Sequence, residues 1–521
     1  MLFNSYSFIF VFLPVTMLGY ILLSRMRLAR RAPRIWLVLV SMFFYGFFVP
    51  QYVLLLVTSV LINYALGQAI KIRGYNAKVR WQMLVAGIIF NLGLLGYYKY
   101  INFVVDNLAL AGLPVSWPDI VLPIAISFFT FQQIAYLADT YAGKTSDSSF
   151  LNYCIFVSFF PQLIAGPIVH HSEMMPQFAK IAARSVRISD CSIGLTIFFI
   201  GLFKKVVIAD GISVYATPVF VAADAGLPLT TFEAWGASLA YTMQLYYDFS
   251  GYSDMAIGLA RLFGIRLPLN FFSPYKAASI TEFWRRWHMT LSRFLRDYLY
   301  IPLGGSRRGE LRRVINLFVT MVIGGIWHGA GWNFLIWGAL HGIYLVINHG
   351  WQLIFRNRRV ISMPKLLVRG TSVGLTFFFV VLAWVFFRAT TIDGAITMLA
   401  AMLGVGGITI PTDLAAVAGE HADTLEKLGI HFSGENVIAL RQWATALPAL
   451  AFLLIFTWAA PNTQQLLRRY RPTVDQIYWK TDGTGKIEWR PSVLWAALIT
   501  VLAIAGIAYL GRATEFLYFQ F

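Results

Sequence analysis

The chain has 521 residues, 58% hydrophobic and 13% charged, with a formal net charge of +18. Soluble domains are roughly 45–50% apolar and about 25% charged, so this composition excludes an ordinary soluble protein. The basic residues cluster in short loops between apolar runs, which is how membrane topology is set; this placement argues against the nucleic-acid partner that such a charge suggests in a soluble chain. Anionic lipid heads or a phosphorylated donor are the counter-ions that remain. The two cysteines, Cys154 and Cys191, border apolar runs and read as inert buried thiols. No C-x-x-C pair and no HExxH occurs, so no metal site is expected.

The first span is expected near Ser7 to Leu23. No Lys or Arg precedes it and no small-residue cleavage site follows, so it reads as a transmembrane helix rather than a signal peptide. The loop after it holds Arg25, Arg27, Arg30, Arg31 and Arg34. A second span ends near Pro50, and a third runs from about Val53 to Ile70. Lys71, Arg73, Lys78 and Arg80 follow it. Both basic loops read as cytoplasmic, which places the N-terminus on the outer, periplasmic side.

Further spans are expected near Met83–Tyr98, Ile120–Leu137 and Leu151–Ala165. In the last, Phe160-Pro161-Gln162 with Gly166 and Pro167 predicts a kinked or re-entrant segment. His170 and His171 come next, beside Glu173, and read as a loop surface. Gly194–Ile208 is another span, ending at Lys204-Lys205. The run Ala234–Leu262 carries Gln244, Tyr246, Tyr247, Asp248, Ser250, Tyr252, Ser253 and Asp254 within apolar sequence. Asp248 and Asp254 are six apart, about 600° of helix rotation, so they point different ways and do not form a paired acid/base site. Helix-to-helix hydrogen bonding is the plain reading of this polar group.

From residue 276 to 313 the character changes. Thr281-Glu282-Phe283-Trp284-Arg285-Arg286-Trp287-His288 opens a stretch with eight arginines between 285 and 313. Tryptophan interleaved with arginine is typical of a membrane interface. It reads either as a topology anchor or as a basic mouth that draws in a phosphate-bearing donor. The apolar stretch Val314–Ile347 follows, and Arg356, Arg358 and Arg359 close it on the cytoplasmic side. Another span lies near Val373–Phe387. Residues 390–444 are mixed and read as an extramembrane segment with amphipathic helices, a candidate partner-docking surface, with His421 and His431 solvated. Spans near Ala449–Ala460 and Val493–Leu510 finish the chain, which reads as one all-α polytopic domain over 1–521 with roughly 11–13 transmembrane or re-entrant helices.

The stretch Gly324–Gly342, GGIWHGAGWNFLIWGALHG, has His328 at its centre. An ionisable side chain at membrane depth is costly and reads as functional by default; the plain alternative is a polar tie between helices. Four glycines, Gly324, Gly325, Gly329 and Gly331, weaken a straight helix there. The usual acyl-transfer motifs are absent: there is no G-x-S-x-G elbow, and His288 and His328 are followed five residues later by Arg293 and Asn333 rather than Asp. Three histidines, His288, His328 and His341, remain as candidates. Imidazole suits general-base work, since its ordinary pKa of about 6.5 needs little tuning. On one straight helix, His328 and His341 would be about 20 Å apart along the axis, so they are expected to do different jobs. His341 reads as a helix-to-helix hydrogen bond.

Several stretches together resemble the membrane-bound O-acyltransferases, in particular the bacterial branch that acetylates exported polysaccharides such as alginate or cellulose. They are Leu122 to Gln132 (LPIAISFFTFQ), Phe160 to Pro167 (FPQLIAGP), Tyr247 to Asp254 (YDFSGYSD), the arginine–tryptophan run to His288, Trp327-His328-Gly329, and Tyr518-Phe519-Gln520-Phe521. One departure is His170, where close relatives are expected to carry Arg. The resemblance implies a membrane O-acyltransferase fold around a central tunnel. It implies His328 as the catalytic residue and His288 as a second essential one. Acetyl-CoA, or another activated acetyl donor, would enter from the cytoplasm, with no tightly bound cofactor. The acetyl group would pass outward to an exported polysaccharide, through a periplasmic partner protein, at a bacterial inner membrane. Arg285, Arg286, Trp287, Trp327, Trp332, Asn333, Tyr247, Asp248 and Ser250 are the expected donor-binding or tunnel-lining residues, with Trp332 or Asn333 orienting His328 and Asn333 a candidate oxyanion donor. The competing readings are transfer of D-alanine or another acyl group by the same fold, and a polysaccharide or solute transporter, which broken helices and intramembrane histidines also suit.

Overall fold

Apolar runs fold as helices here because, in hydrocarbon, only helices and closed barrels satisfy every backbone group. The computed structural model describes residues 1–26, 31–72, 74–113, 115–145, 149–181, 186–355, 364–405, 407–432, 437–475 and 487–512. Arg27, Arg30, Arg73, Arg356, Arg358, Arg359 and the C-terminal 518–521 lie outside the described residues. In chain order the helices begin with α1 (Phe8–Arg25), α2 (Ala32–Gly46), α3 (Gln51–Lys71) and α4 (Ala77–Leu110). Then come α5 (Ile126–Tyr141), α6 (Phe150–Ser158), the short α7 (Phe160–Leu163) and α8 (His171–Ala179). The centre holds α9 (Ile188–Asp224) and α10 (Thr231–Leu262), followed by the short α11 (Ile280–Trp284) and α12 (Met289–Leu295). The C-terminal part contains α13 (Glu310–His328), α14 (Trp332–Phe355), α15 (Lys365–Arg388), α16 (Ile392–Met402), α17 (Leu440–Ala459) and α18 (Val493–Ala508). Among the described residues, six helices are long and apolar enough to cross a membrane: α1, α3, α4, α9, α15 and, within α17, Gln442–Ala459. This is a multi-pass helical membrane protein.

The axis of the bundle is α10. Nearly every residue from Glu233 to Leu262 is buried, with α9 packed along it. Glycines allow this approach: a methyl group on Gly201 would sit 2.5 Å from the Gly251 carbonyl, and one on Gly258 would sit 2.6 Å from the Gly194 carbonyl. The expected polar ties are present. Asp248 pairs with Lys205 at 2.6 Å, and Asp254 pairs with Lys204 at 2.7 Å. The two lysines do not end their span, contrary to expectation. Helix α9 runs on through a π-helical turn, Lys204–Ala209, because α10 and Asp210 neutralise them inside the protein.

Other expectations shift for local reasons. The helix expected at Ile120 starts at Ile126, after Pro123 and a left-handed Ala125 (φ 66°). The kink at Phe160-Pro161 is present, as a break at Phe159 between α6 and α7. Val314–Ile347 is not one span but a hairpin. Helix α13 passes straight through Gly324 and Gly325, ends at His328, and turns over 329–331 into α14. Gly325 serves the crossing rather than a break: a methyl group there would lie 2.9 Å from the Gly338 Cα and collide with the Phe334 carbonyl. Residues 390–444 form a small lobe. It contains α16 and an unexpected pair of parallel strands, β1 (Ile408–Ile410) and β2 (Ile430–Phe432), in register Ile408 to Ile430. The lobe is tied to the start of α10 where the Thr231 N–H donates to Thr409 Oγ1 (3.0 Å) and the Val437 N–H donates to Glu233 Oε1 (2.8 Å). His421 and His431 are exposed there.

Two buried apolar clusters fill the interior. One holds Trp327 and Phe294, the other Trp337, Trp384, Phe387 and Trp287. The histidine after Trp327 lies at their seam.

Candidate active site

His328 ends α13, where helix carbonyls lose their intrahelical donors. Its ring stands edge-on to Trp337 (5.1 Å between centroids, 86°) and to Phe387 (5.2 Å, 75°). A cavity of about 10 Å³ beside it is lined by Leu245, Phe249, Trp287, Trp337, Trp384 and Phe387, room for about one water molecule. Trp327 turns the other way and stacks on Phe131 (4.9 Å, 18°), which stacks on Phe294 (4.1 Å, 11°). One dipeptide thus anchors both cores, and the imidazole is the polar group between them.

Forty residues earlier in sequence, His288 meets it in space, with ring centroids 6.2 Å apart. His288 is fully buried and sits in the left-handed region (φ 40°, ψ 53°), joining α11 to α12. A non-glycine residue there is strained and persists only where its surroundings hold it. Asn270 supplies much of the hold. Its backbone carbonyl accepts from the Met289 N–H at 2.9 Å. Its Oδ1 accepts from the Thr290 hydroxyl at 3.0 Å and contacts His288 Nδ1 at 3.0 Å. Thr290 Oγ1 in turn accepts from the Ile168 N–H at 3.0 Å, just past the Gly166-Pro167 turn. Because Asn270 Oδ1 is an acceptor, the neutral His288 ring carries its proton on Nδ1 and presents Nε2 as the basic nitrogen. Phe249 packs edge-on to the ring (4.8 Å, 90°).

His341 is brought nearer than a straight helix allows, because the hairpin folds α14 back along α13. It remains one ring removed: Trp337 lies between, 5.1 Å from His328 and 4.9 Å from His341. The Trp284 indole N–H donates to His341 Nδ1 at 3.3 Å, a tie between α11 and α14.

The remaining expected residues divide. Trp287 lines the cavity, and Trp327 flanks His328. Trp332 does not reach it: it is exposed and its indole donates to Asn107 Oδ1 at 3.0 Å. Asn333 is buried but its amide donates to the Ala389 carbonyl at 2.6 Å. Tyr247 shares a 2.8 Å hydrogen bond with Thr457, Asp248 is held by Lys205, and Ser250 is buried; none of the three lines the cavity. Their neighbours Leu245 and Phe249 do, since residues four apart on α10 share one face. Arg286 pairs with Glu282, Arg293 with Glu173, Arg296 with Asp297 and Arg313 with Glu310. The exposed arginines of the basic stretch outside these ion pairs are Arg285, Arg307, Arg308 and Arg312.

His170 and His171 are not a loop surface. His171 is buried against Tyr136 and Phe156, and His170 Nδ1 lies 3.2 Å from the Tyr298 hydroxyl, which donates to Asp139. The turn at Gly166-Pro167 carries the segment inward. Cys154 is buried and Cys191 half-buried, both free thiols. Among the described residues no group of His, Cys, Asp and Glu forms a metal site. The sequence reading passed over Trp337, Trp384, Phe387, Asn270 and Lys99. Only Lys99 left a signal, as the one cation in the run Gly93–Val105.

A family model of the membrane-bound O-acyltransferases matches residues 36–390. A peptidoglycan O-acetyltransferase of Helicobacter pylori is 47% identical over 442 residues, 79% of this chain and 81% of its own length. A probable alginate O-acetylase of Pseudomonas putida is 37% identical over the full length of both chains, and one of Pseudomonas aeruginosa is 41% identical over 78% of this chain and 75% of its own. With a buried histidine pair at the seam of a multi-pass helical bundle and these matches along its length, the chain belongs to the membrane-bound O-acyltransferase family and is an acyltransferase.

Proposed function

We propose that the protein is an O-acetyltransferase of the bacterial inner membrane that passes an acetyl group outward from a cytoplasmic donor, acetyl-CoA, to an exported polysaccharide. The observation that carries this reading is the pair of buried imidazoles, His328 and His288, 6.2 Å apart beside one small aromatic cavity. The names of the relatives, which include peptidoglycan and alginate acetylation, favour an O-linked acetyl group on a polymer over D-alanine. In the reaction, His328 takes the proton of an acceptor hydroxyl as its oxygen attacks the thioester carbonyl. The carbon–sulfur bond breaks and the imidazolium returns the proton to the departing thiolate, giving an ester and free CoA. The acceptor is a hydroxyl on a periplasmic partner protein, which hands the acetyl group to the polymer. An acetyl group exceeds the space of a single water, so Trp337, Trp384 and Phe387 must rotate to admit it.

The N-terminus faces the periplasm in this reading, with Arg25, Arg31, Lys71 and Lys78 on the cytoplasmic side. Arg285, Arg307, Arg308 and Arg312 attract the CoA phosphates. The lobe at 390–444 docks the partner. The test is His328→Ala. Membrane insertion should survive while acetyl content of the polymer disappears, and persistent acetylation would sink the assignment. In a transporter the same variant would block polymer export and leave acetyl per polymer unchanged. Purified protein offered radiolabelled acetyl-CoA or activated D-alanine separates the two acyl groups.

A further inference from the structure

The four last carbonyls of a helix lack intrahelical donors, and those of α13 end at His328. Three of them are met by two consecutive residues of α4. The Tyr100 hydroxyl donates to the Ile326 carbonyl at 2.8 Å. Lys99 Nζ donates to the Trp327 carbonyl at 2.6 Å and to the His328 carbonyl at 3.0 Å, with its ammonium 5.8 Å from the centre of the Trp327 ring. Lys99 is 9% exposed, and among the described residues it makes no ion pair with a carboxylate. An ionisable side chain kept inside a membrane protein without a counter-ion is a functional candidate by default.

The local backbone is shaped for this contact. Residues Gly96–Tyr100 form a π-helical turn within α4. One extra residue in a helical turn rotates the side chains after it, and such turns recur at functional sites. Below it, Phe103 packs against Trp332 (5.7 Å) and Asn107 accepts from the Trp332 indole. Positions 99, 103 and 107 share one helix face. That face therefore grips the end of α13, the turn and the start of α14 together.

We propose that Lys99 is a positioning residue for the acyl transfer: its ammonium fixes the last turn of α13 and so the placement of the His328 ring. This rests on His328 being the reacting imidazole. Because the ammonium holds both the carbonyl of His328 and that of the residue before it, its loss frees the ring to shift against Trp337 and His288. Misplacement by about 1 Å costs on the order of a hundredfold in rate.

The test uses the full chain in membrane vesicles containing its native acceptor, with acetyl transfer from radiolabelled acetyl-CoA followed as a function of donor concentration. Lys99→Met is expected to lower kcat by about 10- to 100-fold while KM stays within about twofold, because donor binding is untouched. Lys99→Arg is expected to recover most of that loss, since a guanidinium still donates to both carbonyls. A general loss of folding would not be rescued in this way. Should Lys99→Met fail to insert, Lys99→Gln, which keeps one donor group, takes its place with the same expectation. Parent kcat in Lys99→Met or Lys99→Gln, or equal losses in Lys99→Arg and the neutral variant, overturns the proposal. His328→Ala run alongside separates the two claims. If it is inactive while Lys99→Met is at parent rate, only the Lys99 role falls. If His328→Ala itself transfers acetyl, the underlying reading falls.

Discussion

At the scale of single residues, the chain places two imidazoles together by different means. His328 is set by the end of a helix, whereas His288 is set by a strained left-handed backbone that Asn270 holds from three directions. Asn270→Ala removes the acceptor that fixes the His288 tautomer. It is expected to lower polymer acetylation by about tenfold or more while protein remains in the membrane, checked by acetyl content against immunoblot. His341 serves differently. Its Nδ1 accepts from the Trp284 indole and it lies one ring away from His328, so His341→Phe is expected to keep more activity than His328→Ala. It should lower stability by about 1 kcal/mol for the lost hydrogen bond, read from thermal melting in detergent. The sequence made both His328 and His288 visible, through the surrounding glycines and arginines. It could not show Asn270 as their support, because an asparagine 18 residues before a histidine has no local relation to it.

At the scale of elements, close helix crossings and buried charge pairs hold the site's frame. Gly338 touches α13 so closely that a methyl group on it would sit 2.6 Å from the Met321 carbonyl. Gly338→Leu forces α13 and α14 apart and is expected to destabilise by about 1–3 kcal/mol, with a lowered melting temperature and reduced acetylation. Lys205 sits between Asp210 and Asp248, 2.6 Å from each, and its side chain is 1% exposed. Lys205→Met leaves two buried carboxylates without their cation and is expected to cost about 3–5 kcal/mol. Little protein should then reach the membrane, and adding Asp248→Asn should restore part of it. Element existence was legible from apolar runs. The ends were not, because Lys204 and Lys205 read as the end of a span until α10 supplies their partners, and because a helix and a hairpin give the same apolar pattern across Val314–Ile347.

For the molecule as a whole, the charge of +18 is less available than it looks. Half of the arginines between 285 and 313 are in ion pairs, and the other four, Arg285, Arg307, Arg308 and Arg312, are exposed. If these four draw in a polyphosphate donor, KM for acetyl-CoA should rise with ionic strength, since exposed charges are screened beyond about 10 Å at 0.1 M salt. Replacing Arg307, Arg308 and Arg312 by serine should raise KM several-fold and flatten that salt dependence, with kcat little changed, as initial rates at two salt concentrations would show.

Composition and long continuous apolar runs by themselves determined that the chain is a helical membrane protein, because such runs lack the alternation of barrel strands and satisfy their backbone in hydrocarbon as helices. Its glycines, arginines and histidines pointed to Trp327-His328-Gly329. Only the tertiary structure decided what surrounds that histidine. Trp337, Trp384 and Phe387 lie in apolar runs where one aromatic residue looks like another, and Lys99 lies more than two hundred residues away from the carbonyls it holds. Helical periodicity fixes which residues share a face, whereas which faces meet depends on packing between distant segments. The glycines of the opening motif illustrate the difference: their flexibility was evident in sequence, yet Gly325 serves to let two helices touch.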